Sequence, residues 1–292
     1  MSNKIFELSI QFPRRHPGQL EIVGSLLSNL GVPKANIIES AVKENILVSA
    51  YFNSSRALES IHRVLKTFRL QNLKIQSKIL KNKDWLERWK DDWHIFALTK
   101  TIDVVPTWRR QGYIPGERKY ILLDTVSSFG TGLHETTQFV AELIETKQGD
   151  FESFFDIGTG TGILSLVAFC CGAQVVHAVD LSPQSIRTAK ENMKANDLGF
   201  DKIQTADAGA MRRDLRFDFV AANLITHDLI LMRRKIVSFV KPGKWLAVSG
   251  ISLNNLVKLK QAFKELPLRC VKVKKGKQWA AVLYQKKGKG RG

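Results

Sequence analysis

Cysteine is scarce in this chain: three residues in 292, two of them adjacent at Cys170 and Cys171. That usage excludes a disulfide framework and a CxxC metal knuckle. The six histidines are scattered without the close spacing of a zinc site, so no metal is expected. Long apolar runs are also missing, since none approaches the roughly 20 residues that span a bilayer. The chain starts Met-Ser-Asn-Lys and then alternates, without the apolar core of a signal peptide. No serine sits in an elbow motif, which removes a nucleophile-base-acid triad. These absences point to a reducing, cytoplasmic compartment and to no membrane partner. What remains is ordinary for a folded protein with room for two domains, 44% hydrophobic and 25% charged.

Acidic residues are outnumbered, 27 against 45 Lys and Arg, for a net charge of +18. From Val271 to Gly292 there are eight Lys or Arg and no acid, and Lys286 to Gly292 reads as a basic tail. Such a balance suits an encounter with RNA, a ribosome or an acidic protein, because phosphate attraction is long-range and sequence-blind. A merely solvating basic surface is the alternative.

Along the chain, Ile5 to Phe12 alternates as a strand does, and Gly18 to Leu30 is apolar at helical spacing. Ile37 to Phe52 reads as two strands broken near Lys43-Glu44-Asn45, Ser54 caps a helix over Arg56 to Phe68, and Leu73 to Leu80 is a further strand. The order β-α-β-β-α-β predicts a ferredoxin-like domain over 1–82. Trp85, Trp89 and Trp93 recur every four residues, which predicts one face of a linker helix. Val104 to Trp108 and Tyr120 to Asp124 then read as short strands or a hairpin, completing a linker over 83–125.

From about Thr136 helix and strand alternate, which predicts a Rossmann-like α/β sheet of seven strands over 126–286, followed by the tail 287–292. The final two strands are joined only by Lys275-Gly276-Lys277, too short for a crossover helix, so they must pair antiparallel.

Chemistry concentrates in Asp156-Ile157-Gly158-Thr159-Gly160-Thr161-Gly162, which follows an apolar strand and opens a helix. Such a turn brings backbone close to a ligand at the carboxyl end of a strand. A dinucleotide loop would need glycine or alanine where Ile163 stands. The spacing therefore favours an adenosine ligand without a pyrophosphate, S-adenosylmethionine first; a tight turn without a ligand is the alternative. Asp180 ends the next strand, 22 positions after Gly158, where an acid accepts bonds from both ribose hydroxyls. Asp207 follows the third strand, within reach of an adenine amino group, or is a plain loop residue. Asn223 follows the fourth, where a carboxamide orients an amine nucleophile or holds the amino-acid part of the cofactor. In Phe129-Gly130-Thr131-Gly132-Leu133-His134-Glu135-Thr136-Thr137, two glycines let a loop close over a ligand and two threonines offer hydroxyls. His134 is either a general base or a structural hydrogen-bonder.

The Phe129 to Thr137 segment resembles the loop that marks PrmA-type methyltransferases, which modify the large-subunit ribosomal protein eleven. The Asp156 to Gly162 turn, Asp180 and Ala222-Asn223-Leu224 follow in that family's order, and Pro106-Thr107-Trp108 is similar as well. The resemblance implies S-adenosylmethionine held by Thr137, Gly158, Asp180 and Asn223; the glycine turn and the strand ends add Asp156, Gly160 and Asp207 to the expected cofactor set and make Asn223 the expected catalytic residue. It implies methyl transfer to lysine and N-terminal amines of a large-subunit ribosomal protein, recognised by the small domain. Asp124-Thr125 stands where the family usually has Asp-Pro, and Leu224-Ile225-Thr226 replaces its usual Ile-Leu-Ala. An RNA methyltransferase, or a non-catalytic ribosome-binding protein with a retained cofactor fold, are the other readings of the same residues; the basic surface and tail suit contact with rRNA.

Overall fold

The computed structural model describes residues 4–13, 23, 27, 37–42, 44–52, 58–59, 61–63, 73–81, 93–124, 132–199, 203–205 and 214–288. The chain divides into two compact units, Met1–Trp93 and His94–Gly292.

The first unit holds a four-stranded sheet of β1 (Lys4–Pro13), β2 (Ile37–Val42), β3 (Asn45–Phe52) and β4 (Lys74–Lys81) in the order β2-β3-β1-β4, every pair antiparallel. Alternation decides its buried face. Leu8, Ile10 and Phe12 project to one side of β1 and pack with Val48, Ala50 and Ile61 and with the helical Val23 and Leu27. Glu7 projects to the other side and pairs with Lys78 across the β1–β4 ladder at 2.9 Å. Trp85 and Trp89 lie outside the described residues, and Trp93 is in irregular backbone.

The second unit starts with a three-stranded sheet, β5 (Phe96–Ala97), β6 (Ile102–Pro106) and β7 (Lys119–Leu123). Here the hairpin expectation fails: β6 and β7 run parallel. The intervening residues 107–118, which include the 3-10 turn Thr107–Gly112, carry the chain back to the start of the strand, as parallel pairing demands. The Glu145 carboxylate receives the hydroxyls of Thr99 and Thr101 at 2.6 Å each, fastening this sheet to the first helix of the same unit.

That unit continues through α1 (Glu135–Glu145), β8 (Ser153–Ile157), α2 (Ile163–Cys170), β9 (Val175–Asp180), α3 (Pro183–Ala195), β10 (Ile203–Thr205), β11 (Phe217–Asn223), α4 (Thr226–Ser238), β12 (Val240–Ser252), α5 (Leu256–Lys264), β13 (Leu268–Lys275) and β14 (Trp279–Lys286). Its seven strands take the order β10-β9-β8-β11-β12-β14-β13. β8, β9, β10, β11 and β12 are parallel, and β14 enters antiparallel between β12 and β13. The central strand β11 is buried along Phe217–Ala222, the near-continuous apolar run of a strand covered on both faces. Ser182 caps α3 by accepting from the Ser185 amide, with Pro183 at its first position, as the sequence signals. Lys286 belongs to β14 rather than to the tail: its ammonium donates to the Val237 and Val240 carbonyls at 3.0 and 2.7 Å. No helix among the described residues is long and apolar enough to cross a membrane.

Candidate functional site

The strand order reverses beside β8: the chain moves outward through β9 and β10, then returns to β11 on the other side. Open α/β sheets bind ligands in the crevice at such a switch point, beyond the carboxyl ends of the strands. Three expected parts of the site meet there: the glycine turn after β8, Asp180 at the end of β9 and Asn223 at the end of β11.

The turn needs its glycines. Gly158, Gly160 and Gly162 have φ of 77°, 57° and 83°, a region that L side chains rarely adopt. At Gly158 a Cβ would also stand 2.5 Å from Leu224 Cδ2. The Gly158 and Thr159 amides donate to the Val179 carbonyl at 2.9 and 3.0 Å, binding the turn to the neighbouring strand. The Asp180 carboxylate secures it further, accepting from the Gly160 amide at 2.9 Å and the Ser182 amide at 2.8 Å.

Asp156 lies beneath the turn, wholly buried. Its Oδ2 accepts the hydroxyls of Thr159 and Ser165, each at 2.8 Å, while Oδ1 has no hydrogen-bond partner. Burial is the main reason its pKa is pushed up to about 6; the Thr159 and Ser165 bonds oppose the rise, and the nearby Asp180 charge adds to it. A buried carboxylate with one oxygen unsatisfied suits a cationic or hydrogen-bond-donating ligand group.

On β11, the Asn223 carboxamide donates through Nδ2 to the hydroxyls of Thr136 and Thr137 at 3.3 and 3.4 Å. Both threonines are buried in the first turn of α1. His134 supplies the cap of that helix: its Nδ1 accepts from the Thr136 amide at 3.3 Å, and its ring packs edge-on against Trp279 at 5.3 Å. Burial lowers its pKa. Capping is thus its structural task. Asp207 and Phe129, Gly130 and Thr131 fall outside the described residues.

Three supports escaped sequence reasoning. Gly250, at φ 83°, lets the Leu224 backbone pass so close that a Cβ there would stand 2.1 Å from the Leu224 carbonyl oxygen. Ser165 is a plain helix residue in the sequence, and only the fold turns it toward Asp156. Asn192, buried on α3, accepts from the Asp124 amide at 2.7 Å and donates to the Asp124 and Thr161 carbonyls at 3.0 and 2.8 Å. It thereby ties the end of β7 to the glycine turn. An asparagine in mid-helix, where that residue is a poor helix former, was the available hint.

These residues fit an adenosine-type cofactor. Glycine backbone can approach a ligand, Asp180 supplies acceptor oxygens beside it, and the unsatisfied Asp156 Oδ1 lies below.

Comparison with known proteins agrees. A ribosomal protein L11 methyltransferase of Alkaliphilus metalliredigens is 36% identical over 208 residues, covering 70% of this chain and 64% of that protein. One from Pelobacter propionicus is 29% identical over 285 residues, covering 92% and 91%. The crystal structure of a ribosomal protein L11 methylase from Lactobacillus delbrueckii subsp. bulgaricus superposes with a TM-score of 0.59 at 27% identity, covering 67% of this chain and all of that one. The family model described as ribosomal protein L11 methyltransferase (PrmA) matches residues 28–287, and the chain belongs to that family.

Proposed function

We propose that this protein transfers methyl groups from S-adenosylmethionine to lysine side-chain amines, and to an N-terminal amine, of a large-subunit ribosomal protein. The observation that carries the reading is Asn223, held by Thr136 and Thr137 at the end of the strand beside the glycine turn. Its Nδ2 is committed to those hydroxyls, which leaves the carboxamide oxygen to accept from an incoming amine N–H.

Thr137, Asp156, Gly158, Gly160, Asp180 and Asn223 would hold the cofactor, with Asp207 after β10 completing the set. When bound, it supplies an electrophilic methyl on a sulfonium. The chain's own contribution is position, since fixing two reactants in an attack geometry removes much of the barrier. Asn223 aims the amine lone pair. The amine must arrive uncharged although a free lysine titrates about three units above neutrality. Leu133, Leu181 and Ile225 are exposed and each lies within four residues of a site residue in the chain, and such apolar side chains would help to desolvate the amine.

For the first unit we infer a ferredoxin-like domain that recognises the substrate; the antiparallel order β2-β3-β1-β4 supports it. A ribosomal protein substrate implies a cytoplasmic setting.

The test is incubation of purified protein with methyl-labelled cofactor and ribosomal extract, followed by protease or ribonuclease. Label should be lost on protease treatment, and Asn223→Ala should lower its incorporation by about 10²-fold. Label that survives protease but not ribonuclease would replace this reading with RNA methylation.

A further inference from the structure

Nearly all of the net positive charge of this protein comes from one stretch of chain. Leu229 to Gly292 carries 17 Lys and Arg with Glu265 as its single acid, a net +16 of the chain's +18. That stretch folds into α4, β12, α5, β13 and β14, so the excess collects at the β13 edge of the seven-stranded sheet.

Some of these cations have local work. Lys241 and Lys244 pair with Asp218, Lys274 pairs with Glu142 of α1, and Lys286 donates to backbone carbonyls. Others form no ion pair with a described acid: Lys272, Lys275, Lys277 and Lys287 are exposed, as is Arg269, whose guanidinium donates only to the neutral Gln285 carboxamide at 2.7 Å. Lys260 and Lys264 extend the same charge over the outer face of α5.

β13 runs in the same direction as the parallel strands, because both it and β12 are antiparallel to β14. It therefore starts at the end of the sheet remote from the cofactor crevice and finishes beside it. At its start is a depression of about 390 Å³ lined by Arg269, Lys286 and Lys287, with Gly243 and Gly288 leaving it open. Arg216 stands near enough for its charge to add to the burial that lowers the Lys286 pKa. At its finish, the Lys277 amide donates to Glu135 at 3.2 Å, next to Thr136 and Thr137.

We propose that the β13 edge is an RNA-docking surface, running from the Arg269–Lys287 depression to the Lys275–Lys277 turn beside the methyl-transfer site. Unpaired lysine is depleted at protein–protein interfaces, whereas phosphate oxygens take most of their bonds from Arg and Lys. A lysine-rich edge also discourages sheet-to-sheet aggregation. That role does not account for the cations in the depression or on α5. The choice of RNA among polyanions rests on the ribosomal substrate proposed above, since that substrate is assembled on RNA.

The test needs no cofactor, so its failure is distinct from failure of the methyl-transfer reading. A fluorescein-labelled RNA hairpin is titrated with the full-length protein by anisotropy from 50 to 200 mM salt. Two triple variants change net charge equally: Arg269→Gln/Lys272→Gln/Lys275→Gln on the edge, and Arg187→Gln/Lys190→Gln/Lys194→Gln on α3. Thermal melts establish that both are folded. The edge triple should weaken binding at least 10-fold and reduce the slope of log K against log salt by about 2–3, roughly one released counterion per cation. The α3 triple should change affinity less than 3-fold. Equal losses in both would reduce the effect to net charge and overturn the proposal. So would absence of binding by wild type at 150 mM salt, or tighter binding of polyglutamate than of RNA, which would make the edge an acidic-protein surface.

Discussion

The Asp180 carboxylate receives the Gly160 amide at 2.9 Å, so the residue that ends β9 holds the turn that follows β8. The same carboxylate fixes the Ser182 amide at the start of α3. One side chain therefore sets the turn against the next helix while presenting its remaining lone pairs to the crevice. Asp180→Ala removes charge-assisted bonds worth about 1.5–3 kcal/mol each. We expect S-adenosylmethionine affinity to fall by about 10- to 150-fold in calorimetry, and Asp180→Asn to lie between it and wild type. Unchanged heat in Asp180→Ala would remove Asp180 from the cofactor site.

Gly250 and Gly243 offer a controlled pair. Their φ values are 83° and 79°, but a Cβ on Gly250 meets the Leu224 carbonyl at 2.1 Å, whereas one on Gly243 meets nothing within 4 Å. Gly243→Ala should lose only the left-handed penalty of about 1–2 kcal/mol. Gly250→Ala should lose about 3 kcal/mol or more in denaturant unfolding, because Leu224 must shift. It should also lose methyl transfer under conditions where it stays folded, since Asn223 precedes Leu224. Equal destabilisation of the two variants would show that the close approach is not limiting.

What the sequence revealed of this site was its local part. A G-x-G-x-G turn requires positive φ at consecutive glycines, and that requirement is written in residue type, as is the Ser182-Pro183 start of α3. Gly250 against Leu224, and Asn192 between Asp124 and Thr161, are separated along the chain by 26 and by 68 and 31 positions. Only strand register and helix placement bring them together, so no local pattern announces them. The β6–β7 pairing failed for the same reason: two short apolar segments look alike whether they pair parallel or antiparallel. Direction was readable for β13 and β14 because a three-residue connection allows one answer.

At the end of the sheet remote from the crevice, Asp218 should govern acid stability. Burial alone would raise its pKa, but bonds from the Ser153 hydroxyl, Lys241 and the Ser153 and Glu152 amides prevail and hold it at about 2. A depressed carboxyl pKa stabilises the fold above its unfolded value near 3.8, and the contribution is lost as pH falls toward 2. Allowing for solvent around Lys241, Asp218→Asn should lose about 1–2 kcal/mol at pH 7 and nothing at pH 2. Urea unfolding at the two pH values decides it; a deficit independent of pH would assign the loss to packing.

Asp156 should act in the adjoining window and with the opposite sign. Its pKa is raised by burial to about 6, so the folded state keeps a proton that the unfolded chain releases near 3.8. That proton stabilises the fold below pH 3.8, and the advantage disappears as pH rises through about 6. Relative to Asp156→Asn, which does not titrate, the ligand-free wild type should therefore lose about 2–3 kcal/mol between pH 4 and pH 7. A bound cationic group near the unsatisfied Oδ1 would favour the ionised carboxylate. Affinity for S-adenosylmethionine should accordingly weaken as pH drops from 7 to 5 in wild type and stay level, though lower, in Asp156→Asn. Thermal melts across pH with and without the cofactor measure both effects. If the two proteins share one pH profile in its absence, Asp156 is ionised throughout; if they share one in its presence, the cofactor does not sense that carboxylate.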